Sequence, residues 1–172
     1  MSDFGQENVR KFLLHFGLEA VKIPESDQKT PDFEVFYKQK KVFFCEEKTL
    51  EKDEKEGAYP DPTYNAISAH IHKATKQFKS LNPRHEFPNV LAFTNLDKGK
   101  DFYDLFITIT GAAPIGNGEF LTIRSVGRIQ KDLSDIDLFL WFDQDSFIDS
   151  LPNLNSMFKA DLSTLLNIVK DK

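Results

Sequence analysis

An apolar strand, an amphipathic helix and a second apolar strand follow one another between residues 42 and 95, and this order constrains the fold more than any other feature. The strands are "VFFC" at 42–45 and "NVLAFTN" at 89–95. A helix over about 63–81 is predicted by apolar residues that recur at intervals of four and three, which is the spacing of one buried helix face. These residues are Ile67, Ile71, Ala74, Phe78 and Leu81. Because the connection is a helical crossover, the two strands are expected to be parallel.

The remaining chain supplies further strands and helices around this unit. Helices are predicted near 5–16, 101–108 and 156–169, and strands near 18–24, 33–37, 119–129 and 136–143. The short "KQKK" turn makes the strand at 33–37 antiparallel to the one that begins at 42, whereas the charged stretch 49–62 is expected to be a mobile loop. The sequence therefore predicts an α/β protein with a mixed central β-sheet flanked by helices. A single domain over 1–172 is expected, since the length gives no reason for a second.

Charge and composition exclude several classes of protein. A net charge of −5 argues against a protein that coats nucleic acid through a broad basic surface, but carboxylates gathered to hold cations leave a nuclease open. The lone Cys45 permits neither an internal disulfide nor a zinc site built from cysteines. The N-terminus "MSDFGQENVRKF" has no apolar core of a signal peptide, and no stretch has the roughly 20 apolar residues that span a membrane. We therefore expect a cytoplasmic protein without a membrane partner.

A candidate site lies in the stretch "PDFEVFYKQKKVFFCEEK", residues 31–48. Residues two apart in a strand project from the same face, so Glu46 and Lys48 point together while Glu47 and Cys45 point the other way. Asp32 begins the preceding strand, and antiparallel pairing about the turn brings it beside the end of the next one. Two carboxylates and one ammonium are thus expected at one end of the sheet.

Such a trio suits the hydrolysis of phosphodiester bonds. Mg²⁺ is commonly held by one or two carboxylates together with waters and substrate oxygens, which predicts Asp32 and Glu46 as its ligands and Mn²⁺ as a substitute. A bound divalent cation polarises the phosphate and lowers the pKa of an attacking water. Lys48 is predicted to orient that water or to offset negative charge on the phosphoryl oxygens.

The Pro31-Asp32 and Glu46-Glu47-Lys48 motifs, joined by a strand–turn–strand, resemble those of the PD-(D/E)XK phosphodiesterase superfamily, which has the restriction-endonuclease-like fold. The resemblance covers roughly residues 5–95 and leaves 96–172 without a family pattern. In many members an acidic residue on the first helix completes the metal site, which implies this role for Glu7. Several branches carry Gln or Lys on the helix after the motif. Lys73 and Gln77, on a stripe flanking the apolar face of 63–81, are the matching candidates for substrate or water contacts.

The resemblance implies a Mg²⁺-dependent endonuclease that cleaves DNA, and RNA is not excluded. Two other interpretations remain open. The charged residues after "VFFC" also fit an ordinary solvated strand end. Alternatively, the chain is a non-catalytic module on a degenerate nuclease fold that binds nucleic acid or a protein through its Phe-rich second half. A homodimer is a further expectation, because cutting both strands of a duplex often needs two sites.

Overall fold

A computed structural model describes residues 3–52, 62–122 and 129–166. It confirms the α/β class, with helices on both faces of a six-stranded mixed sheet of order β1-β2-β3-β4-β7-β8. The strands of this sheet are β1 Leu18–Lys22, β2 Phe33–Tyr37, β3 Lys40–Leu50, β4 Asn89–Asn95, β7 Leu138–Asp143 and β8 Ser146–Pro152. A separate hairpin pairs β5 Ala112–Ile115 with β6 Glu119–Thr122. The helices are α1 Phe4–His15, α2 Pro62–Leu81, α3 Phe102–Thr110, α4 Gln130–Leu133 and α5 Lys159–Leu166.

The pairing of the central strands follows the sequence-based prediction. β2 and β3 are antiparallel, and β3 runs parallel to β4 after the α2 crossover. The tight β2–β3 turn is made by Lys38 and Gln39, which both have positive φ, as a two-residue type I′ hairpin requires. β4 is buried along its whole length and is parallel to β7 on its other side. The sheet therefore has a fully buried strand at its centre.

Two hydrophobic cores cover the two faces of the sheet. One core lies under α1 and α5 and contains Val9, Leu13, Leu162 and Leu166. The other lies under α2 and α3, where four residues of the predicted α2 stripe pack on apolar side chains of β4 and β7, namely Ile67, Ile71, Ala74 and Phe78. The fifth predicted residue, Leu81, is 40% exposed at the end of the helix. β3 contributes to both cores, since Cys45 belongs to the first and Phe44 to the second. Successive residues of β3 therefore face different helices, which fixes where the charged residues at 46–48 can point.

Several boundaries differ from the prediction for local physical reasons. β3 continues to Leu50 because its last residues pair with β4, so Thr49 and Leu50 are not part of a loop, and 53–61 lies outside the described residues. The predicted strand at 119–129 includes β6, whereas 123–128 lies outside the described residues. α5 begins three residues later than predicted, at Lys159, and residues 167–172 are likewise outside the described part. Sequence periodicity missed β5, β8 and the single-turn α4, which are short or largely exposed.

Within the described residues, no helix is both long and apolar enough to cross a membrane.

Candidate active site at the start of β2 and the middle of β3

Asp32 immediately precedes β2 and lies next to Glu46 of β3. The register pairs Phe33 with Cys45, so the next residue along each strand brings Asp32 opposite Glu46. The main-chain N–H of Asp32 donates to Glu46 Oε2 at 2.9 Å. In return, the main-chain N–H of Glu47 donates to Asp32 Oδ2 at 2.9 Å, which extends the strand pairing by one side-chain hydrogen bond. The proximity expected from antiparallel pairing is therefore present.

Lys48 shares the α2 face of the sheet with Glu46. Its Nζ donates to Glu46 Oε1 at 2.5 Å and to Gln77 Oε1 of α2 at 2.8 Å. The amide of Gln77 also donates to the carbonyl of Thr30 at 3.0 Å. Gln77 thus holds the ammonium of Lys48 and fastens the segment before Asp32 to α2. The predicted candidates Glu46, Lys48 and Gln77 form one hydrogen-bonded chain.

The Asp32 carboxylate has partners on the opposite, α1 face. Its Oδ1 accepts from Lys22 Nζ and from the Gln6 side chain, both at 2.9 Å. Lys22 in turn donates to Gln6 Oε1 at 2.8 Å. In the described residues no hydrogen bond joins the Asp32 carboxylate to Lys48. The link between the two groups runs through Glu46, which contacts both the Asp32 main chain and the Lys48 ammonium.

Burial makes ionisation of the β3 carboxylates unfavourable. The Glu46 side chain is only 2% exposed. Burial raises the pKa of Glu46 to about 7, and repulsion by Asp32 adds to this shift while the Lys48 ammonium opposes it. Burial also raises the pKa of Glu47 to about 7. Glu47 lies on the α1 face, where the Thr49 hydroxyl donates to its Oε1 at 3.0 Å.

The carboxylates of Asp32 and Glu46 are chemically suited to a Mg²⁺ site in which the substrate supplies further oxygen ligands. The negative charge of Asp32 disfavours ionisation of Glu46, and a bound divalent cation would offset that repulsion. Each of the two carboxylates forms an ion pair with a lysine: Asp32 pairs with Lys22, and Glu46 pairs with Lys48. The described residues contain no group of three or more His, Cys, Asp or Glu side chains arranged to hold a metal ion. Mg²⁺ at this pair would therefore need water or substrate oxygens to complete its coordination.

Two other predicted residues lie outside this network. Glu7 is about half exposed and its carboxylate lies 3.9 Å from Lys11 Nζ on the same helix, so the α1 residue in contact with Asp32 is its neighbour Gln6. Lys73 is exposed on α2, one turn from Gln77. The metal role of Glu7 and the substrate role of Lys73 remain predictions.

Sequence reasoning missed Lys22 and Gln6. A signal for Lys22 was available, because it continues the alternation of Leu18 and Ala20 and so places a charge on the apolar face of β1. Gln6 carried no such signal, because its hydrogen bond to Asp32 depends on how α1 docks against the start of β2. Cys45 lies fully buried in the α1-side core, as expected, and burial raises the pKa of its thiol.

Comparison with known protein families, characterised proteins and solved structures gives no match for this chain. The class of protein is thus defined by its own architecture: an α/β protein with a mixed sheet and a buried Asp–Glu–Lys network where β2 begins. Membership of the PD-(D/E)XK superfamily stays a prediction.

Proposed function

We propose that this protein is a Mg²⁺-dependent nuclease that hydrolyses phosphodiester bonds of DNA in the cytoplasm. The observation that carries the proposal is the contact between Asp32 and Glu46, with Lys48 held on Glu46 by Gln77. A buried acidic pair with a fixed ammonium beside it gains little for stability, since desolvation of the charges is costly. The same arrangement has a clear use in phosphoryl chemistry.

In the proposed site Asp32 and Glu46 would hold Mg²⁺, which supplies Lewis-acid activation of the phosphate and of water when bound. Lys48 orients the attacking water or offsets charge on the phosphoryl oxygens. Gln77 positions Lys48 through the 2.8 Å hydrogen bond to its ammonium. Lys73, exposed on the same helix, contacts a phosphate of the substrate. On α1, Glu7 would assist in holding the metal, and its neighbour Gln6 donates a hydrogen bond to the Asp32 carboxylate.

Cleavage of a supercoiled plasmid in Mg²⁺ or Mn²⁺ tests this proposal. We expect wild-type turnover, loss of at least 100-fold in Lys48→Ala and in Asp32→Asn, and no change in Lys79→Ala, whose lysine lies on α2 in a surface pair with Asp135. Lys79→Ala is the matched control for removing one positive charge from this helix. Equal turnover by wild type and both site variants would rule the nuclease out.

A non-catalytic binding module is the second candidate, and one observation favours it. Each carboxylate of the pair already has a lysine counter-ion, so the network is charge-balanced without a metal. Such a module would bind nucleic acid or a protein without cutting. Calorimetric titration with Mn²⁺ separates the two candidates: the nuclease requires binding that is lost in Asp32→Asn and Glu46→Gln, and the module requires no such binding.

The nuclease is further proposed to work as a homodimer, because cutting both strands of a duplex needs two active sites or two visits by one. Sedimentation equilibrium at micromolar concentration is the test. A strict monomer removes this part of the proposal and leaves nicking, cleavage of single strands, or cleavage of a duplex by two successive visits.

A further inference from the structure

A cavity of about 380 Å³ opens beyond the end of β3, between this strand and α2. Ligands of open α/β sheets bind beyond the carboxyl ends of parallel strands, and β3 and β4 are such a pair. The cavity is lined by Thr49, Leu50, Glu51, Ala66, His70 and Lys100. The cavity is not lined by Asp32, Glu46 or Lys48, although Lys48 lies on the same face of β3.

His70 presents one polar atom to this cavity. Its Nδ1 is sealed from solvent and has no hydrogen-bond partner among the described residues, and the ring packs edge-on against Phe93 with centroids 6.4 Å apart. The ring is only partly buried and lines the cavity, so its Nε2 is the nitrogen that faces the opening. An orphaned N–H is rarer in protein interiors than an unsatisfied acceptor, which assigns the proton to Nε2. His70 therefore offers an N–H donor.

The charge of this donor is constant at physiological pH. Burial, together with the nearby ammonium groups of Lys48 and Lys73, lowers the pKa of His70 to about 4. The ring is thus neutral, and two positive charges lie close to it. Of the other charged residues of the cavity, Lys100 pairs with Asp97 at 2.5 Å and Glu51 is exposed. A neutral N–H beside two ammonium groups suits a phosphate oxygen.

The position of His70 on α2 also fits a strand that passes the proposed cleavage site. His70 and Gln77 are seven residues apart on α2 and face the same side, so they are separated by about 10 Å along its axis. Successive phosphates of one strand lie about 3.4 Å apart along a duplex axis. A strand running beside α2 would therefore bring a phosphate to His70 about three nucleotides from the one near Gln77, which holds Lys48.

We propose that this cavity is a phosphate subsite of the substrate strand, in which His70 Nε2–H donates a hydrogen bond to a backbone phosphate oxygen. The inference rests on the proposed function and adds a substrate-binding residue to it. Neither the trio nor the motif around it requires this contact.

Nuclear magnetic resonance of ¹⁵N-labelled imidazoles tests the donor directly. We expect the Nε2–H tautomer for His70 and a shift of its Nε2 resonance when a single-stranded hexanucleotide is added. His72 is the internal control, because it lies two residues along the same helix with its ring on Asp132. An Nδ1–H tautomer, or equal shifts at His72, would overturn the proposal.

Variants test the energetic contribution without relying on turnover. Binding of a labelled oligonucleotide is measured by anisotropy in Ca²⁺, and KM and kcat for cleavage in Mg²⁺. His70→Phe keeps a ring but loses the donor, so we expect Kd and KM to rise about tenfold with kcat within about threefold. His70→Gln restores a donor, so its Kd and KM should stay within about threefold of the wild-type values. The control His72→Phe should have the same Kd and KM as the wild type. Thermal unfolding verifies that each variant is folded.

The outcomes separate this inference from the proposed function. Binding that depends on His70 without any cleavage supports the subsite and removes the nuclease. Cleavage with normal Kd and KM in His70→Phe supports the nuclease and removes the subsite. No binding by wild type, or a fall in kcat alone in His70→Phe, overturns the subsite.

Discussion

Replacing Lys48 by Met tests the electrostatics of the candidate site independently of any activity. The substitution keeps an unbranched apolar stem and removes the ammonium that lies 2.5 Å from Glu46 Oε1. Because the Glu46 side chain is 2% exposed, water cannot replace the lost partner. The carboxyl group then avoids an unpaired buried charge by keeping its proton.

The pKa of Glu46 determines how the cost of this substitution depends on pH. Its folded-state pKa of about 7 is above the ordinary value of 4.5, so between these values the folded state binds more protons and stability falls as pH rises. Above pH 7 the wild-type carboxyl ionises in the folded state and this fall ends. In Lys48→Met the pKa rises further, so the fall continues at about 1.4 kcal/mol per pH unit.

The resulting difference is small at neutral pH and grows in alkali. At pH 7 about half of Glu46 is already neutral in the wild type, and losing Lys48 adds less than about 1 kcal/mol from ionisation. At pH 8.5 the added loss in the free energy of unfolding reaches about 2 kcal/mol. Below pH 6 the ionisation contribution vanishes, since both proteins then carry a neutral Glu46.

Urea unfolding at pH 6, 7 and 8.5, followed by the fluorescence of the buried Trp141, measures this difference. Lys79→Met is the matched control, because its lysine pairs with Asp135 at the surface of α2 and its removal should show no such pH dependence. In a Glu46→Gln background the pH dependence of Lys48→Met should disappear. An equal loss of stability at pH 6 and pH 8.5 would refute the assignment of a buried, proton-binding Glu46.

Three further substitutions test the fold around the site. His85→Phe should cost more stability at pH 5.5 than at pH 8.5 in thermal unfolding. The hydrogen bond that His85 Nε2–H donates to Asp137 raises the pKa of His85, and the resulting stabilisation is complete below pH 6.5 and lost as pH rises through the folded-state pKa; a flat difference would contradict this. Gly5→Ala should cost about 1–3 kcal/mol, because an added Cβ would overlap the carboxylate of Glu47, and Glu47→Ala should recover part of the loss; no recovery would place the strain elsewhere. Phe78→Ala should cost about 3–5 kcal/mol in urea unfolding, since the ring is fully buried between α2 and the sheet, and a loss below 1 kcal/mol would be inconsistent with this packing.

Local pattern predicted the central elements because each one repeats a single physical rule along many residues. The buried stripe of α2 recurs over about three turns from Ile67 to Phe78. β4 carries an apolar run at 90–93 and is buried along its whole length, because both of its faces are covered. β5 and β8 were not predicted because they lack such a repeat. β5 has four residues and β8 is an edge strand with one exposed side, so neither carries enough apolar side chains to show a period.

Some features of the candidate site follow from the sequence alone, and others depend on the tertiary structure. Alternation along a strand determined from the sequence alone that Glu46 and Lys48 share a face, and the short turn determined that Asp32 lies near them. The two-residue turn by itself would pair Asp32 with Cys45, and a β-bulge between Val35 and Phe36 shifts the register so that Asp32 lies opposite Glu46. Only the tertiary structure decided which groups balance these charges. Lys22, Gln6 and Gln77 come from β1, α1 and α2, and nothing local relates their positions. They meet Asp32 and Lys48 because two helices dock on opposite faces of one sheet, and that docking depends on packing between residues far apart in the chain.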